Sequence, residues 1–149
     1  MSLQDNKAAS KRLYEEVFGR GNVAAADEIL AQDSVSHGPG APPAIGTAGI
    51  KAQAERLRMA IPDLRLMLQD QIAEADRVAS RWTGSGTHTG RLMLPTGPLE
   101  PTDRPVSFDE IRIDRFVDGL IVESWFIPDR LTLWQQWGLL PAPPAAAST

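Results

Sequence analysis

The pattern of apolar and polar positions changes character near Pro62. Before it, apolar side chains recur at helical spacing, which predicts helices over 5–18, 23–30 and 47–60. Asp5 or Asn6 can cap the first helix, Asn22 the second and Thr47 the third, and Pro62 ends the third. A short strand is predicted around 35–37, within a stretch rich in turn residues.

After Pro62 the apolar positions alternate, which is the pattern of half-buried strands. The predicted strands are 64–75, 77–90, 106–116 and 120–126. The segment 95–105 is predicted to be a proline-rich loop, and Asp118-Gly119 a hairpin turn. Apolar parity shifts between Phe108 and Ile111, which predicts a β-bulge in the third of these strands. A last helix is predicted from residue 130.

Helices first and strands afterwards predict an α+β fold, with helices on one face of an antiparallel sheet. We expect one domain over residues 1–140 and a disordered Pro/Ala-rich tail over 141–149. A strongly curved sheet with helices across its mouth forms a cone. A cone of this size is expected to enclose one apolar ligand pocket.

Composition narrows the function. The 149-residue chain has a net charge of −4, so no basic face is expected for nucleic acid. No apolar run is long enough for a membrane span, and the first residues lack the apolar core of a signal peptide, so a cytoplasmic protein is expected. The chain has no cysteine, and its two histidines lack the usual metal-ligand spacing, so no metal site is predicted.

Several short motifs carry a resemblance. They are GTHTG at 86–90, PTG at 95–97, IDRFVDGLIVESW at 113–125, and Asp129 followed by QQWG at 135–138. Two further motifs are AIPDL at 60–64 and VSHGPG at 35–40. On all these motifs the chain resembles the SnoaL-like polyketide cyclases of the NTF2-like superfamily over about residues 8–140.

The resemblance implies an NTF2-like cone, with a curved antiparallel sheet of about four to six strands and helices packed across its concave face. It implies an intramolecular aldol-type cyclisation without metal or cofactor, with an aspartate at the position of Asp129 as acid/base. It also implies a small-molecule substrate, polycyclic or aromatic, and a homodimer or homotetramer. The chain departs from the pattern in a longer loop after PTG and in Ser124, where relatives often have histidine.

Asp129 therefore has two interpretations. It directly precedes the last predicted helix, where aspartate is a favoured N-cap. Its neighbours Trp125, Phe126 and Pro128 could instead desolvate the carboxylate and raise its pKa, as a general acid/base requires. Backbone N–H bonds to a capping carboxylate would lower the pKa and oppose that use.

The other candidate catalytic residues are the two histidines. His88 shares strand parity with Trp82, and His37 lies in a turn that could fold over the pocket. Either could hydrogen-bond a substrate carbonyl or orient Asp129, or be an ordinary turn or strand-end residue. We expect Asp129, His88 and at least one of Trp82 and Trp125 to line a single cavity.

Candidate substrate-binding residues complete the site: Trp82, Trp125, Arg112, Tyr14 and Phe108. The tryptophans and Tyr14 fit a core position first, and one or two of the tryptophans could also form a flat wall for an aromatic ligand. An arginine reaching into the cone would suit an anionic or enolate oxygen. Arg112 and Asp114 share one strand face, which could equally be solvated.

Three functions stay open at this point. The first is a cofactor-independent cyclase or related isomerase. The second is an epoxide hydrolase, which would use an Asp-Arg-Asp arrangement such as Asp129, Arg112 and Asp114, but with no tyrosine available on a strand. The third is a non-catalytic module that binds a small molecule or dimerises through the outer face of the sheet.

Overall fold

Helix α1 spans Leu3–Arg12 and continues as a π-helical turn, Leu13–Gly19. The computed structural model describes residues 2–145 of the chain. Ser2, and neither Asp5 nor Asn6, is the N-cap of α1, and it forms a capping box with Asp5. The predicted second helix divides into a 3₁₀ turn, Val23–Ala25, and a short α2, Ala26–Ile29. The remaining helices are α3, Gly46–Ala60, and α4, Arg130–Gln136.

Two of the predicted caps make no capping bond: Asn22 is at the N-cap position of the second helical segment, whereas Thr47 is not at the N-cap position of α3. Asn22 makes no capping bond to the second helical segment, and its side chain donates to Glu16 instead. Ile45 is the N-cap position of α3, and Thr47 donates its hydroxyl to the carbonyl of Ala31.

Eight strands follow the chain: β1 Leu30–His37, β2 Ala44–Ile45, β3 Arg65–Glu74, β4 Arg77–Thr87, β5 Leu92–Leu94, β6 Gly97–Leu99, β7 Pro105–Val117 and β8 Leu120–Pro128. Six of them form a curved, open sheet in the order β2-β1-β8-β7-β4-β3. The other two, β5 and β6, form a small hairpin; β5 precedes the segment predicted as a proline-rich loop, 95–105, and β6 lies within it.

The sheet is mixed, because β1 runs parallel to β8 while the other neighbours are antiparallel. β1 spans Leu30–His37, so it ends where the strand predicted at 35–37 ends but begins five residues earlier. The α+β class, the strand number and the curved sheet of the prediction are confirmed.

The bulge predicted between Phe108 and Ile111 is wrong. β7 pairs with β4 in continuous register, and its even-numbered residues from Val106 to Phe116 are all buried. The apparent shift in parity arises because the inward positions between Phe108 and Phe116 are charged, whereas Ile111 and Ile113 point outward. The register irregularity of β7 lies further on, at Arg115/Phe116 against β8.

Two clusters of buried side chains hold the helices against the sheet. One joins α1, α2 and α3 to the sheet around Trp82, Val17 and Ile121. The other joins α4 and the β5–β6 hairpin to β7 around Phe108 and Trp137. Burying large apolar side chains in this way is the main force that closes the helices over the sheet.

The C-terminal segment after Gln136 has no helix or strand up to residue 145. Part of the predicted disordered tail, 146–149, lies outside the described residues. No helix within residues 2–145 has both the length and the apolar character needed to cross a membrane.

Candidate functional site

A cavity of about 220 Å³ lies where the two buried clusters meet, between the concave face of the sheet and the helices. Its wall is formed by the π-helical turn after α1, by α3, α4 and β5, by the inner faces of β7 and β8, and by the loop after β1. Its lining is mostly apolar, with Phe18, Leu57, Ile61, Leu92, Phe108, Phe126, Leu133 and Trp137. The cavity is therefore suited to an apolar ligand.

The polar part of the wall comes from β7. The register with β4 places Glu110 opposite Trp82, Arg112 opposite Ser80 and Asp114 opposite Val78, all on the buried face. Charged side chains are rarely buried unless they are paired, so a run of three on one inward face marks a special environment.

Glu110 is the acidic group at the cavity. Tyr14 donates its hydroxyl proton to Oε2 of Glu110, while Oε1 is buried and has no hydrogen-bond partner in the described protein. Burial raises the pKa of Glu110 above its ordinary value of 4.5, and the charge of Arg112 opposes that rise. Glu110 thus presents a desolvated carboxyl oxygen that no protein group uses.

Arg112 lies two residues further along β7, on the same buried face as Glu110. It donates to Asp114 from Nη2 at 2.9 Å and from Nε at 3.4 Å, and its guanidinium lies 4.7 Å from the centre of the Tyr14 ring. Burial opposes its charge, but the carboxylate of Asp114 raises the pKa of Arg112 above the usual value. Ser10 and Ser124 also donate to Asp114, so the pair is fixed in position.

The raised pKa of Glu110 predicts a pH effect on stability. Folded protein keeps the Glu110 proton to higher pH than unfolded protein does, so the free energy of unfolding falls as pH rises from about 4.5 to the folded pKa. Glu110→Gln mimics the protonated form and removes this slope. We expect its stability relative to the wild-type protein to increase with pH across that window, measured by urea unfolding at several pH values. If the free energies of unfolding of the wild-type protein and of Glu110→Gln changed in parallel with pH, the raised pKa of Glu110 would be contradicted.

Of the predicted substrate-binding residues, the structure places Tyr14, Phe108 and Arg112 in the cavity wall. Trp82 and Trp125 are not part of it. Trp82 is fully buried behind Tyr14, with their ring centres 4.9 Å apart.

The structure does not bring the three predicted catalytic residues together in the cavity. Neither Asp129, His88 nor His37 lines it. The expectation that Asp129, His88 and a tryptophan line a single cavity is therefore wrong for the described residues. A role for these three residues in turnover stays a prediction.

Asp129 has the geometry of a helix cap. Its Oδ1 accepts the backbone N–H of Thr132 at 3.1 Å, and its Oδ2 accepts the Thr132 hydroxyl at 2.6 Å. The side chain is exposed, and these bonds with Thr132 lower the pKa of Asp129 below its ordinary value. The raised pKa expected from the aromatic neighbours is wrong, because the carboxylate points to solvent instead of the cavity.

Capping at Asp129 is testable by a matched pair of variants. Asparagine is as good an N-cap as aspartate, so Asp129→Asn should leave thermal stability nearly unchanged. Asp129→Ala removes the acceptor for Thr132 and should lower the Tm by roughly 2–4 °C for a domain of this size. Equal melting temperatures for both variants in a calorimetric scan would argue against the cap.

His88 lies at the end of β4, behind the cavity wall. Its ring is 5.5 Å from that of Trp137, and its Nδ1 accepts the backbone N–H of Thr102 at 3.3 Å. The side chain is fully buried, and this desolvation lowers the pKa of His88 below 6.5. His88 is therefore neutral at physiological pH and supports Trp137 from behind.

His37 and Trp125 lie together outside the cavity. Their rings stack with centres 5.6 Å apart, and His37 Nε2 is 2.8 Å from a carboxylate oxygen of Glu123. Arg115 binds the other oxygen of Glu123 at 3.2 Å, and these partners lower the pKa of Glu123, His37 contributing most. This group ties β1 to β8 and β7.

Glu110 is the site residue that the sequence prediction missed. A signal for it was present: Val106, Phe108 and Phe116 share its parity along β7, so an uninterrupted strand places Glu110 on the same buried face. The prediction of a bulge hid this relation. Within residues 2–145, no cluster of three or more His, Asp or Glu side chains has the arrangement of a metal site.

Comparisons with known proteins agree with this fold. The family model of the SnoaL-like polyketide cyclases matches residues 8–137. No curated protein gives a match.

Three solved structures from Streptomyces species are similar along most of the chain. AclR from Streptomyces galilaeus, provisionally a hydroxylase, is 29% identical with a TM-score of 0.81, over 97% of this chain and 87% of that one. IdmH from Streptomyces antibioticus, provisionally a polyketide cyclase, is 30% identical with a TM-score of 0.75, over 89% and 98%. TsrD from Streptomyces laurentii is 25% identical with a TM-score of 0.81, over 94% and 99%. With the family model covering nearly the whole domain, the chain belongs to the SnoaL-like polyketide cyclase family, whose fold is NTF2-like.

Proposed function

We propose that this protein catalyses an intramolecular aldol-type cyclisation of an apolar, oxygenated small molecule, with Glu110 as the general acid/base. The observation that carries the proposal is the free oxygen of Glu110, which is buried, unpaired and part of the cavity wall. Burial raises the pKa of Glu110, which makes its carboxylate a stronger base than a solvated one.

The chemistry assigns a step to each polar group. The Glu110 carboxylate removes a proton from a carbon next to a substrate carbonyl, and the electron pair moves to the carbonyl oxygen to form an enolate. The enolate carbon then attacks a second carbonyl of the same molecule, and the new alkoxide takes the proton back from Glu110. Arg112 stabilises the oxygen that carries negative charge, while the Tyr14 hydroxyl holds Glu110 in place by donating to its Oε2. The reaction is a net isomerisation and needs no cofactor.

The size of the cavity limits the substrate. About 220 Å³ is below the range of roughly 300–1,000 Å³ that is usual for drug-sized ligands. The ligand is therefore a small aromatic or bicyclic molecule, or a larger one that extends out of the mouth.

Proton removal can be tested before the natural substrate is identified. The probe is 1-tetralone in D₂O, and exchange of its protons next to the carbonyl is followed by ¹H NMR. We expect the protein to accelerate the exchange above the buffer rate and Glu110→Gln to return it to the buffer rate. Asp129→Asn tests the earlier candidate in the same assay. Exchange that survives in Glu110→Gln but is lost in Asp129→Asn would transfer the acid/base role to Asp129 and overturn the proposal.

A second candidate is epoxide hydrolysis, which one specific observation favours. Arg112 stands between the carboxyl groups of Glu110 and Asp114 on one buried strand face, and Tyr14, from a helix, reaches this group. Glu110 would then take a proton from water as the water opens the epoxide ring, and return that proton to the alkoxide that the opening leaves. Incubation with styrene oxide in H₂¹⁸O separates the candidates, because hydrolysis puts one solvent oxygen into a diol and cyclisation does not.

Assembly is part of the proposed function as well. The outer face of the sheet carries an apolar patch formed by Ile72, Ile111, Ile113, Trp125 and Ile127. Pairing across the sheet aligns Ile111 with Ile127 and Ile113 with Trp125, and Ile127 is 69% exposed. A continuous exposed patch of this kind is typical of an interface.

We expect a homodimer or homotetramer formed through this patch. Light scattering at micromolar concentration should give a multiple of the chain mass, and Ile127→Lys should shift it to the monomer. Met59→Lys, on α3 and away from the patch, is the matched control because Met59 is equally exposed, at 70%. A monomeric wild-type protein would contradict the interface.

A further inference from the structure

The cavity wall is basic, although the chain as a whole has a net charge of −4. Three arginines contribute to it, Arg56, Arg112 and Arg130, against a single acidic side chain, Glu110. Arg112 is neutralised by its ion pair with Asp114. The ion pairs found among residues 2–145 include neither Arg56 nor Arg130. Two positive charges at the cavity are therefore left for a ligand.

These two arginines come from different elements. Arg56 lies on α3, on the same helix face as Gln53 and Leu57, which also line the cavity. Arg130 is the first residue of α4, and its guanidinium lies over the loop after β1, with Nη1 2.8 Å from the place where a side chain at Gly40 would begin. Gly40 has a φ of +73°, so glycine suits the position both by its backbone and by the room it leaves for Arg130.

Two further polar groups in the lining have no protein partner. Oε1 of Gln53 and the indole N–H of Trp137 are buried without a hydrogen bond. Buried polar groups of native proteins are nearly always paired, so unpaired ones in a cavity wall indicate a polar ligand atom. The Trp137 N–H is a donor only and therefore suits an acceptor such as a carboxylate oxygen.

We propose that the cavity binds the carboxylate of an otherwise apolar substrate between Arg56 and Arg130. The inference rests on the proposed function only in that Glu110 and Tyr14 then act on the apolar, oxygenated part of the same molecule. Fixing one end of the substrate in this way limits which carbon reaches Glu110. A carboxylate suits the site better than a phosphate, because the acidic side chain of Glu110 lies in the same wall and repels a doubly charged group more strongly.

Binding of a matched pair of probes tests this site without turnover. The probes are 2-naphthoate and its neutral methyl ester, titrated into ¹⁵N-labelled protein while the indole N–H signal of Trp137 is followed by NMR. We expect 2-naphthoate to bind roughly tenfold more tightly than the ester. Arg56→Gln and Arg130→Gln should each weaken 2-naphthoate binding roughly fivefold and leave the ester unaffected. Arg81→Gln, an exposed arginine on β4, is the control and should change neither.

Several results would overturn the inference. Equal affinity for acid and ester would show that the charge is not recognised. Tighter binding of 2-naphthyl phosphate, lost in the same two variants, would assign the site to phosphates. Failure of both naphthoate probes to shift the Trp137 signal at about 1 mM, the weak end of specific binding, would show that the cavity does not accept them.

The two proposals fail separately. Glu110→Gln should retain the preference for 2-naphthoate over its ester, because it leaves both arginines in place. If the preference is absent while 1-tetralone exchange still depends on Glu110, the carboxylate site is wrong and the acid/base proposal stands. If the preference for 2-naphthoate is present while 1-tetralone exchange is absent, the acid/base proposal is wrong and the carboxylate site stands.

Discussion

Replacing Glu110 with glutamine is expected to reduce turnover by about 100-fold or more, the usual scale of general acid–base catalysis. Glutamine keeps the size of the side chain and can still accept the Tyr14 hydroxyl proton, so the cavity should keep its shape. It cannot take a proton from carbon, which is the step that the free oxygen of Glu110 is proposed to perform. The measurement is kcat for 1-tetralone exchange, or for any substrate that the protein cyclises.

Asp109→Asn is the matched control for this variant. Asp109 is the neighbouring carboxylate on β7 and is exposed on the opposite face, where it accepts from Thr83. It should retain full activity. Unchanged turnover in Glu110→Gln would remove Glu110 from the mechanism.

Tyr14→Phe tests the role of Glu110 through the pH–rate profile, which would not change if Glu110 were purely structural. The Tyr14 hydroxyl lowers the pKa of Glu110, partly offsetting burial. Its removal should therefore shift the acidic limb of the pH–rate profile to higher pH, because Glu110 must lose its proton to act as a base. A profile that stays in place would show that Glu110 is not the titrating group.

Asp114→Ala is expected to reduce the free energy of unfolding by about 3–5 kcal/mol, the cost of breaking a buried ion pair by removing one partner. Arg112 and Asp114 are 3% and 0% exposed, so the arginine would stay charged without a counter-ion. Ser10 and Ser124 would lose their acceptor as well. Urea unfolding followed by tryptophan fluorescence gives the loss.

A double variant that removes both charges of the pair distinguishes its effect on stability from its effect on activity. In Arg112→Met/Asp114→Leu neither partner of this ion pair is left without the other, so the double variant should be more stable than Asp114→Ala. It should also lose activity if Arg112 stabilises the enolate. A loss below about 1 kcal/mol in Asp114→Ala, the scale of an exposed ion pair, would contradict the buried position of the pair.

Local signals predicted most elements of the fold correctly. The alternation in β3, β4 and β8 and the helical stripe of α3 are strong periodic patterns, and Asp118-Gly119 forms the predicted turn, with φ of 50° and 79°. β1 was predicted too short, since its pairing with β8 is parallel and joins segments far apart in the sequence. Such pairing leaves no turn signal beside the strand.

For the site, the sequence by itself determined which side chains were available and the family to which they belong. Tyr14, Phe108 and Arg112 could be named as candidates because their residue types suit an apolar cavity with one anionic oxygen. Asp129 could not be assigned, since one position beside a helix start serves equally for a cap and for an acid. Only the tertiary structure shows that its side chain caps α4 through Thr132, and its role in turnover stays a prediction.

Tertiary structure decided which face of β7 is buried, because the sequence signals for the two faces conflict. Ile111 and Ile113 alternate with Glu110 and Arg112, and by hydrophobicity the isoleucines belong inside. The opposite arrangement is stable because β4 presents the buried Val78, Ser80 and Trp82 to the charged side, while Tyr14 and Ser10 arrive from α1 and its π-helical continuation to bind the carboxyl groups. A buried charge is tolerated only with such partners. These partners come from a helix about a hundred residues away, so their contacts exist only once the chain has folded.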